Sequence, residues 1–175
     1  MKSGELVFPV EGASWADYRD DHHLLGADRG EPGRGGWHYR RGPGQLHQGI
    51  DLKAPIGTPL LAIEPGRVRL MAAEPGRAAG HRTWLFGESG AVYHYLHLGT
   101  DVSDLSDAYP AGFPDRPAMF PVDAGAVVGF LGHTGGSRAL GTAMRPSAAH
   151  LHLEYLPEGA DGPDANPAGV FDRIR

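Results

Sequence analysis

Along most of this chain, apolar residues alternate with polar ones or gather in short runs, and Gly, Pro, Asp and Ser separate the runs. Alternation with period 2 marks a half-buried strand, and short apolar runs bounded by turn residues fit strands of a buried sheet. Residues 1–46 are polar and Gly-rich, with stretches such as DRGEPGRGG and RRGPGQ, and predict an extended lead-in with one short strand at Leu6-Val7-Phe8. From residue 47 the β pattern strengthens. Gly49-Ile50-Asp51-Leu52 starts a strand, and residues 59–63 and 66–70 predict two more around the Glu64-Pro65-Gly66 turn. Residues 82–86 and 91–95 predict a hairpin around Gly87-Glu88-Ser89-Gly90. Residues 99–121, rich in Asp, Pro and Ser, predict a long loop, which inside a compact domain is usually functional or mobile. The sheet resumes at 126–131, and a second loop, 132–148, leads into the alternating segment His150-Leu151-His152-Leu153-Glu154. Asn166-Pro167 predicts a short terminal helix with Asn as N-cap and Pro in the first turn.

The bulk composition agrees. A chain of 175 residues with 41% hydrophobic content fits one domain with a real core. Its 27 Gly and 15 Pro, spread along the chain, favour short strands and turns over a helical bundle. The expected architecture is mostly β, a single-domain antiparallel sheet or sandwich, with lead-in 1–46 packed on a core of 47–175. A net charge of −5 argues against non-specific binding to nucleic acid. Cysteine is absent, which excludes disulfides and thiolate metal sites, so any metal must use His, Asp or Glu. No stretch approaches a membrane span. MKSGELVFPVEG has no continuous apolar core, so no signal peptide is expected there.

Three segments carry candidate chemistry. Alternation places His150 and His152 side by side on one face. Two imidazoles there suit a divalent metal, or one metal ligand beside one acid/base group. Glu154 is assigned to the side of Leu151 and Leu153 and is not taken as a ligand. The second segment is His47-Gln48-Gly49-Ile50-Asp51. Gly49 and the β pattern argue against a helix, and a fully extended chain would hold the Cα atoms of His47 and Asp51 roughly 13 Å apart. A bend at Gln48-Gly49 is therefore expected. His47, Asp51 and one His of the pair would make a His₂Asp set suited to Zn²⁺, with three protein ligands and an open position. The third segment is Tyr95-Leu96-His97-Leu98, at the end of an aromatic strand.

HxGID, YLHL and HLHLE, in that order, resemble the M23 family of zinc metallopeptidases, the lysostaphin/LytM-like endopeptidases. APIGTPLLAIEPGRV, VVGFLGHTGG and the late Asn-Pro match as well, so the resemblance covers residues 45–170. It implies the lysostaphin/LytM (duplicated hybrid motif) fold, with long loops walling a groove. It implies His47, Asp51 and His152 as zinc ligands, and His150 as the catalytic histidine beside the metal. His97 then positions water or stabilises the transition state. The implied activity is hydrolysis of stem or bridge peptides of peptidoglycan, outside the cell or in the periplasm. Two alternatives stay open: a non-catalytic LytM-like regulator of a wall hydrolase, and a metallopeptidase acting on other peptides. Residues 100–121 are longer than in compact relatives and are expected to form one wall of the groove.

The other candidates are weaker. His22, His23 and His81 are expected to be solvated in polar loops. His94 points away from Tyr93 and Tyr95, toward the surface. His133 is placed to touch substrate, and Arg40 or Arg41 to line the cleft and meet a carboxylate. Asp101 and Asp123 read as turn residues.

Overall fold

A computed structural model describes residues 5–26, 31–75, 77–136 and 143–174. Ten strands dominate it. They are β1 (Arg40–Gly42), β2 (Gln45–Leu46), β3 (Gly49–Leu52), β4 (Pro59–Leu61), β5 (Gly66–Met71), β6 (His81–Gly87), β7 (Val92–Leu98), β8 (Phe120–Val122), β9 (Val127–Phe130) and β10 (Leu151–Leu156). The helices α1 (His22–Leu25) and α2 (Ala168–Phe171) are one turn each. Six strands form one sheet in the order β3-β10-β7-β6-β5-β8, and β4-β9 and β1-β2 form two-stranded sheets. Every pairing among the named strands is antiparallel. The expected hairpin is β6-β7.

Register sorts the two faces of the large sheet. Cross-strand pairing aligns Leu70, Thr83, Tyr95, Leu153 and Ile50 in one row, and Val68, Leu85, Tyr93 and Tyr155 in the next. Most of these side chains are buried. The β4-β9 pair closes over this face, burying Leu60 and Val128 completely. Buried hydroxyls hold the layers together: Tyr95 donates to the Leu61 carbonyl (3.0 Å) and accepts from the Ile63 N–H (3.2 Å), and Thr83 donates to the Val128 carbonyl (2.8 Å). Each bond satisfies a polar group that would otherwise be buried at a cost of about 1–3 kcal/mol.

The lead-in is extended but forms no ladder of its own. Residues 7–11 run along β4, with Val7 N–H on the Ile63 carbonyl, Glu11 N–H on Pro59 and Leu61 N–H on Pro9. A single bridge, Val10 to Leu60, replaces the strand expected at Leu6-Val7-Phe8. Phe8, Val10, Tyr18 and Leu24 join Val170 and Phe171 in the core. A short terminal helix forms as expected, but Pro167 rather than Asn166 is its N-cap, and Asn166 Oδ1 accepts from Ala168 N–H at 3.0 Å from one residue further out. The β1-β2 hairpin, α1 and β8 were not foreseen, because each is too short to show a period.

The segment 100–121 corrects one expectation. It packs away from the groove described below, beside β5 and β6, pinned by the buried Tyr109, whose hydroxyl lies 3.1 Å from the Met71 carbonyl and 2.9 Å from that of Arg82.

Candidate metal centre

The opposite face of the large sheet carries the polar chemistry. Register places Asp51, His152, Leu96, Arg82 and Met71 in one row, and Gly49, Glu154, His94, Trp84 and Arg69 in the row beside it. Asp51 on β3 is thus the direct cross-strand neighbour of His152 on β10. His47 precedes β3 and reaches the same point. His47 Nε2 lies 3.0 Å from Asp51 Oδ1 and 2.9 Å from His152 Nδ1, and His152 Nδ1 lies 2.8 Å from Asp51 Oδ1. All three residues are buried, and together they form a group able to hold a metal ion.

The donor chemistry fits such an ion. A carbonyl or carboxylate oxygen only accepts, so the ring nitrogen facing one carries the hydrogen. His47 gives Nδ1–H to the Gly36 carbonyl (2.8 Å), and His152 gives Nε2–H to Glu154 Oε1 (3.3 Å). His47 Nε2 and His152 Nδ1 both face Asp51 Oδ1, so a bound metal would take the place of a hydrogen there and find both nitrogens as donors. Such outer partners fix the tautomer of metal-ligating histidines. Two imidazoles and one carboxylate leave a fourth position free, the pattern of a catalytic zinc site.

Two more imidazoles border the triangle. His150 ends the loop just before β10, one residue short of the strand, and its Nε2 lies 3.4 Å from Asp51 Oδ1 while its Nδ1–H holds the Ala148 carbonyl (2.7 Å). His97 donates Nδ1–H to the Thr134 carbonyl (2.8 Å), and its ring meets that of His150 edge-on, with centroids 4.9 Å apart. Plain alternation would send His97 inward with Tyr95. Its left-handed backbone, φ 67°, swings the ring to the site instead, where the β6-β7 register slips between His81 and Arg82. Non-glycine residues rarely adopt this conformation, which costs about 1–3 kcal/mol and clusters at functional sites.

Electrostatics separate these groups. Burial works against the Asp51 carboxylate, but hydrogen bonds from His150, His152 and His47 hold its pKa far below the usual carboxylate range. Burial also opposes a charged His152, yet the Asp51 and Glu154 carboxylates overcome it and raise its pKa to about 9. His97 is lowered to about 3 by burial and by repulsion from His150 and His152, so its ring is neutral at physiological pH. At pH 7 the metal-free site thus stores a proton on His152. A divalent metal must displace it, so metal binding releases a proton and apparent affinity rises by about tenfold per pH unit until pH passes about 9. Zinc titrations against a competing chelator at pH 6, 7 and 8 read this slope; a flat profile would contradict it.

The backbone around these three residues comes from parts that the motifs do not include. The Gly-rich stretch 33–38 crosses β3: the Gly35 carbonyl accepts from Asp51 N–H (2.8 Å), the Gly36 carbonyl holds the His47 ring, and His38 N–H bonds the His47 carbonyl (2.8 Å). Gly49 lets β3 approach β10, since a Cβ there would meet the Leu153 carbonyl oxygen at 2.3 Å and His152 Nε2 at 3.0 Å. Gly49→Ala should therefore cost about 1–3 kcal/mol. Thermal unfolding of metal-free protein measures that loss.

Several expectations change here. Glu154 shares the face of His152 rather than that of Leu151 and Leu153, and its other oxygen lies 2.7 Å from His94 Nδ1. His94 takes the site face, as alternation requires, but is largely covered rather than at the surface. His81 is fully buried, accepting from Ala73 N–H (2.9 Å) and donating to the Asp101 carbonyl (2.8 Å), so it is structural and not solvated. His22 is exposed, whereas His23 is partly covered beside Gly35. His133 is buried and does not line the groove. Arg41 does reach a carboxylate, with Nη2 3.1 Å from Asp51 Oδ2. The groove above the site, about 570 Å³, runs between Arg41, Leu46 and Gln48 on one side and Arg77, Ala78 and Ala79 on the other, with His47, His97 and His152 among its lining.

No family model and no curated protein matches the chain. Solved structures do. Lysostaphin from Staphylococcus simulans, an antimicrobial peptidase, is 24% identical over 79% of this chain and 49% of its own, with a TM-score of 0.56. A LytM protein from Ruminococcus gnavus is 26% identical over 74% of this chain and 48% of its own, with a TM-score of 0.54. A catalytic-domain variant of the prophage-encoded M23 protein EnpA from Enterococcus faecalis is 23% identical over 75% of this chain and 85% of its own, with a TM-score of 0.51. This chain thus spans about half the length of the lysostaphin and LytM chains it matches.

Proposed function

The chain carries the mostly antiparallel β fold of the lysostaphin/LytM-type M23 peptidases, and from that premise we propose that it is a zinc-dependent endopeptidase that hydrolyses stem or bridge peptides of peptidoglycan. The observation that carries this reading is the convergence of His47, Asp51 and His152, flanked by His97 and His150, beside an open groove that His47, His97 and His152 line. A substrate in the cell wall places the protein outside the cell or in the periplasm.

In this reading His47 Nε2, His152 Nδ1 and Asp51 Oδ1 hold the ion. When bound, zinc supplies Lewis-acid chemistry, lowering the pKa of a water toward about 7 and polarising a peptide carbonyl. The chain's own residues then move the protons. His150, with Nδ1–H anchored on Ala148, would offer Nε2, released from Asp51 once that carboxylate holds the ion, as the base that takes the proton of the attacking water and returns it to the leaving amine. His97 is neutral and its Nδ1–H is committed to Thr134, so its Nε2 only accepts. It orients the water rather than donating to the tetrahedral oxyanion. Arg41 balances the second Asp51 oxygen and keeps the carboxylate turned to the site.

The deciding experiment digests purified peptidoglycans of different cross-link chemistry with zinc-loaded protein. Mass spectrometry should show fragments cut within the peptide portion, and EDTA should prevent them. Zinc-loaded protein that cuts no wall type would overturn the proposal.

A further inference from the structure

Beside the triangle of His47, Asp51 and His152, a second row of side chains crosses three strands of the same face. Glu154 on β10 pairs in register with His94 on β7, and His94 with Trp84 on β6. Glu154 takes the Nε2–H of His152 at 3.3 Å on one oxygen and the Nδ1–H of His94 at 2.7 Å on the other. The His94 ring lies stacked on Trp84, with centroids 4.3 Å apart and planes 20° from parallel. Glu154 lines the groove but is largely covered, as is His94, and His94 Nε2 is buried with no partner among the described residues. A carboxylate clamped on both sides cannot rotate freely. A histidine whose far nitrogen is clamped cannot exchange tautomers or flip its ring.

We propose that Glu154, braced by His94 and Trp84, is a positioning residue that locks His152 in the orientation in which Nδ1 is its ligating nitrogen. The assignment rests on the metal reading above but adds three residues that the sequence motifs leave without a role. His152 needs the tether more than its fellow ligand, because His47 is already fixed by a main-chain carbonyl, Gly36, which cannot swing away. Among the described residues, the brace that His152 has on Nε2 is a side chain, and that side chain needs a brace of its own. His94 acts one step further out, through Glu154.

The test measures zinc dissociation constants by chelator competition for the wild-type chain, Glu154→Ala, Glu154→Gln, His94→Ala and the Glu154→Ala/His94→Ala double variant, together with the visible absorption of the cobalt-loaded forms. Loss of an outer-shell partner weakens metal binding by about 10–100-fold, and Glu154→Ala should fall in that range. Glu154→Gln, which keeps an oxygen for the His152 Nε2–H, should recover most of the affinity. The double variant should be no weaker than Glu154→Ala, because residues that act in series are not additive. The cobalt spectrum should shift in Glu154→Ala, a change that mere loss of stability would not produce. Undiminished zinc binding in Glu154→Ala, or losses that add in the double variant, would overturn the tether alone. A wild-type chain that binds no zinc would overturn the metal reading and the tether together.

Discussion

Asp51→Asn is expected to abolish zinc binding, reduce peptide hydrolysis to background and destabilise the metal-free protein. Four cationic or potentially cationic groups converge on this one carboxylate: His47 at 3.0 Å, His152 at 2.8 Å, His150 at 3.4 Å and Arg41 at 3.1 Å. Removing this carboxylate leaves His152 with Glu154 as its one remaining charged partner among the described residues and takes away the larger of the two groups that keep it protonated. Breaking a buried ion pair by deleting one member costs about 3–5 kcal/mol, and the cost should be largest where His152 would otherwise be charged. The wild-type group has a pKa raised to about 9, so this stabilisation is present at neutral pH and fades as pH rises through that value. Denaturant melts of metal-free wild type and Asp51→Asn at pH 7 and pH 10 should therefore converge at the higher pH. Equal stability at pH 7 would refute the account of the site as a cation cluster held by one carboxylate.

His150→Ala is expected to do the reverse: keep zinc and lose turnover. Its ring stands outside the three converging donor atoms, with Nε2 at the longest of the imidazole distances to Asp51. General acid–base catalysis contributes about 10²–10⁴-fold, and kcat should fall within that range with KM little changed. Zinc content by elemental analysis separates the outcomes, since loss of the metal in His150→Ala would move this residue into the ligand set. His97, neutral down to about pH 3, cannot produce an acidic limb near neutrality in the pH–rate profile of either protein.

The long strands and the convergence of His47, Asp51 and His152 were legible because they follow simple patterns. β5, β6, β7 and β10 show alternation or apolar runs over six or seven residues, and the three converging residues sit in compact motifs. Failures came where the period is too short or is broken. β1, β2 and β8 are two or three residues long, so no periodicity could reveal them. His97 reaches the site through one left-handed residue, which no alternation count foresees. The placing of Glu154 with Leu151 and Leu153 fails on parity alone, since 150, 152 and 154 share a face. His81 could not be read because its partners, Ala73 and Asp101, come from loops on either side in sequence. The supporting carbonyls of Gly35, Gly36, Thr134 and Ala148 belong to the backbone and leave no residue signature.

β3 is the edge of the large sheet and only four residues long, with the Gly33–Gly36 crossing as its outer cover. Its ladder bonds to β10 join residues about a hundred positions apart, Asp51 and His152 among them. An ion shared by those two residues would act as a cross-link, closing a long loop of chain and pinning the rim of the sheet. Chelation then does more than silence chemistry. It would loosen the rim, and any opening of β3 would bare the hydrogen-bonding groups of β10, the kind of surface on which extended chains pair and aggregates begin.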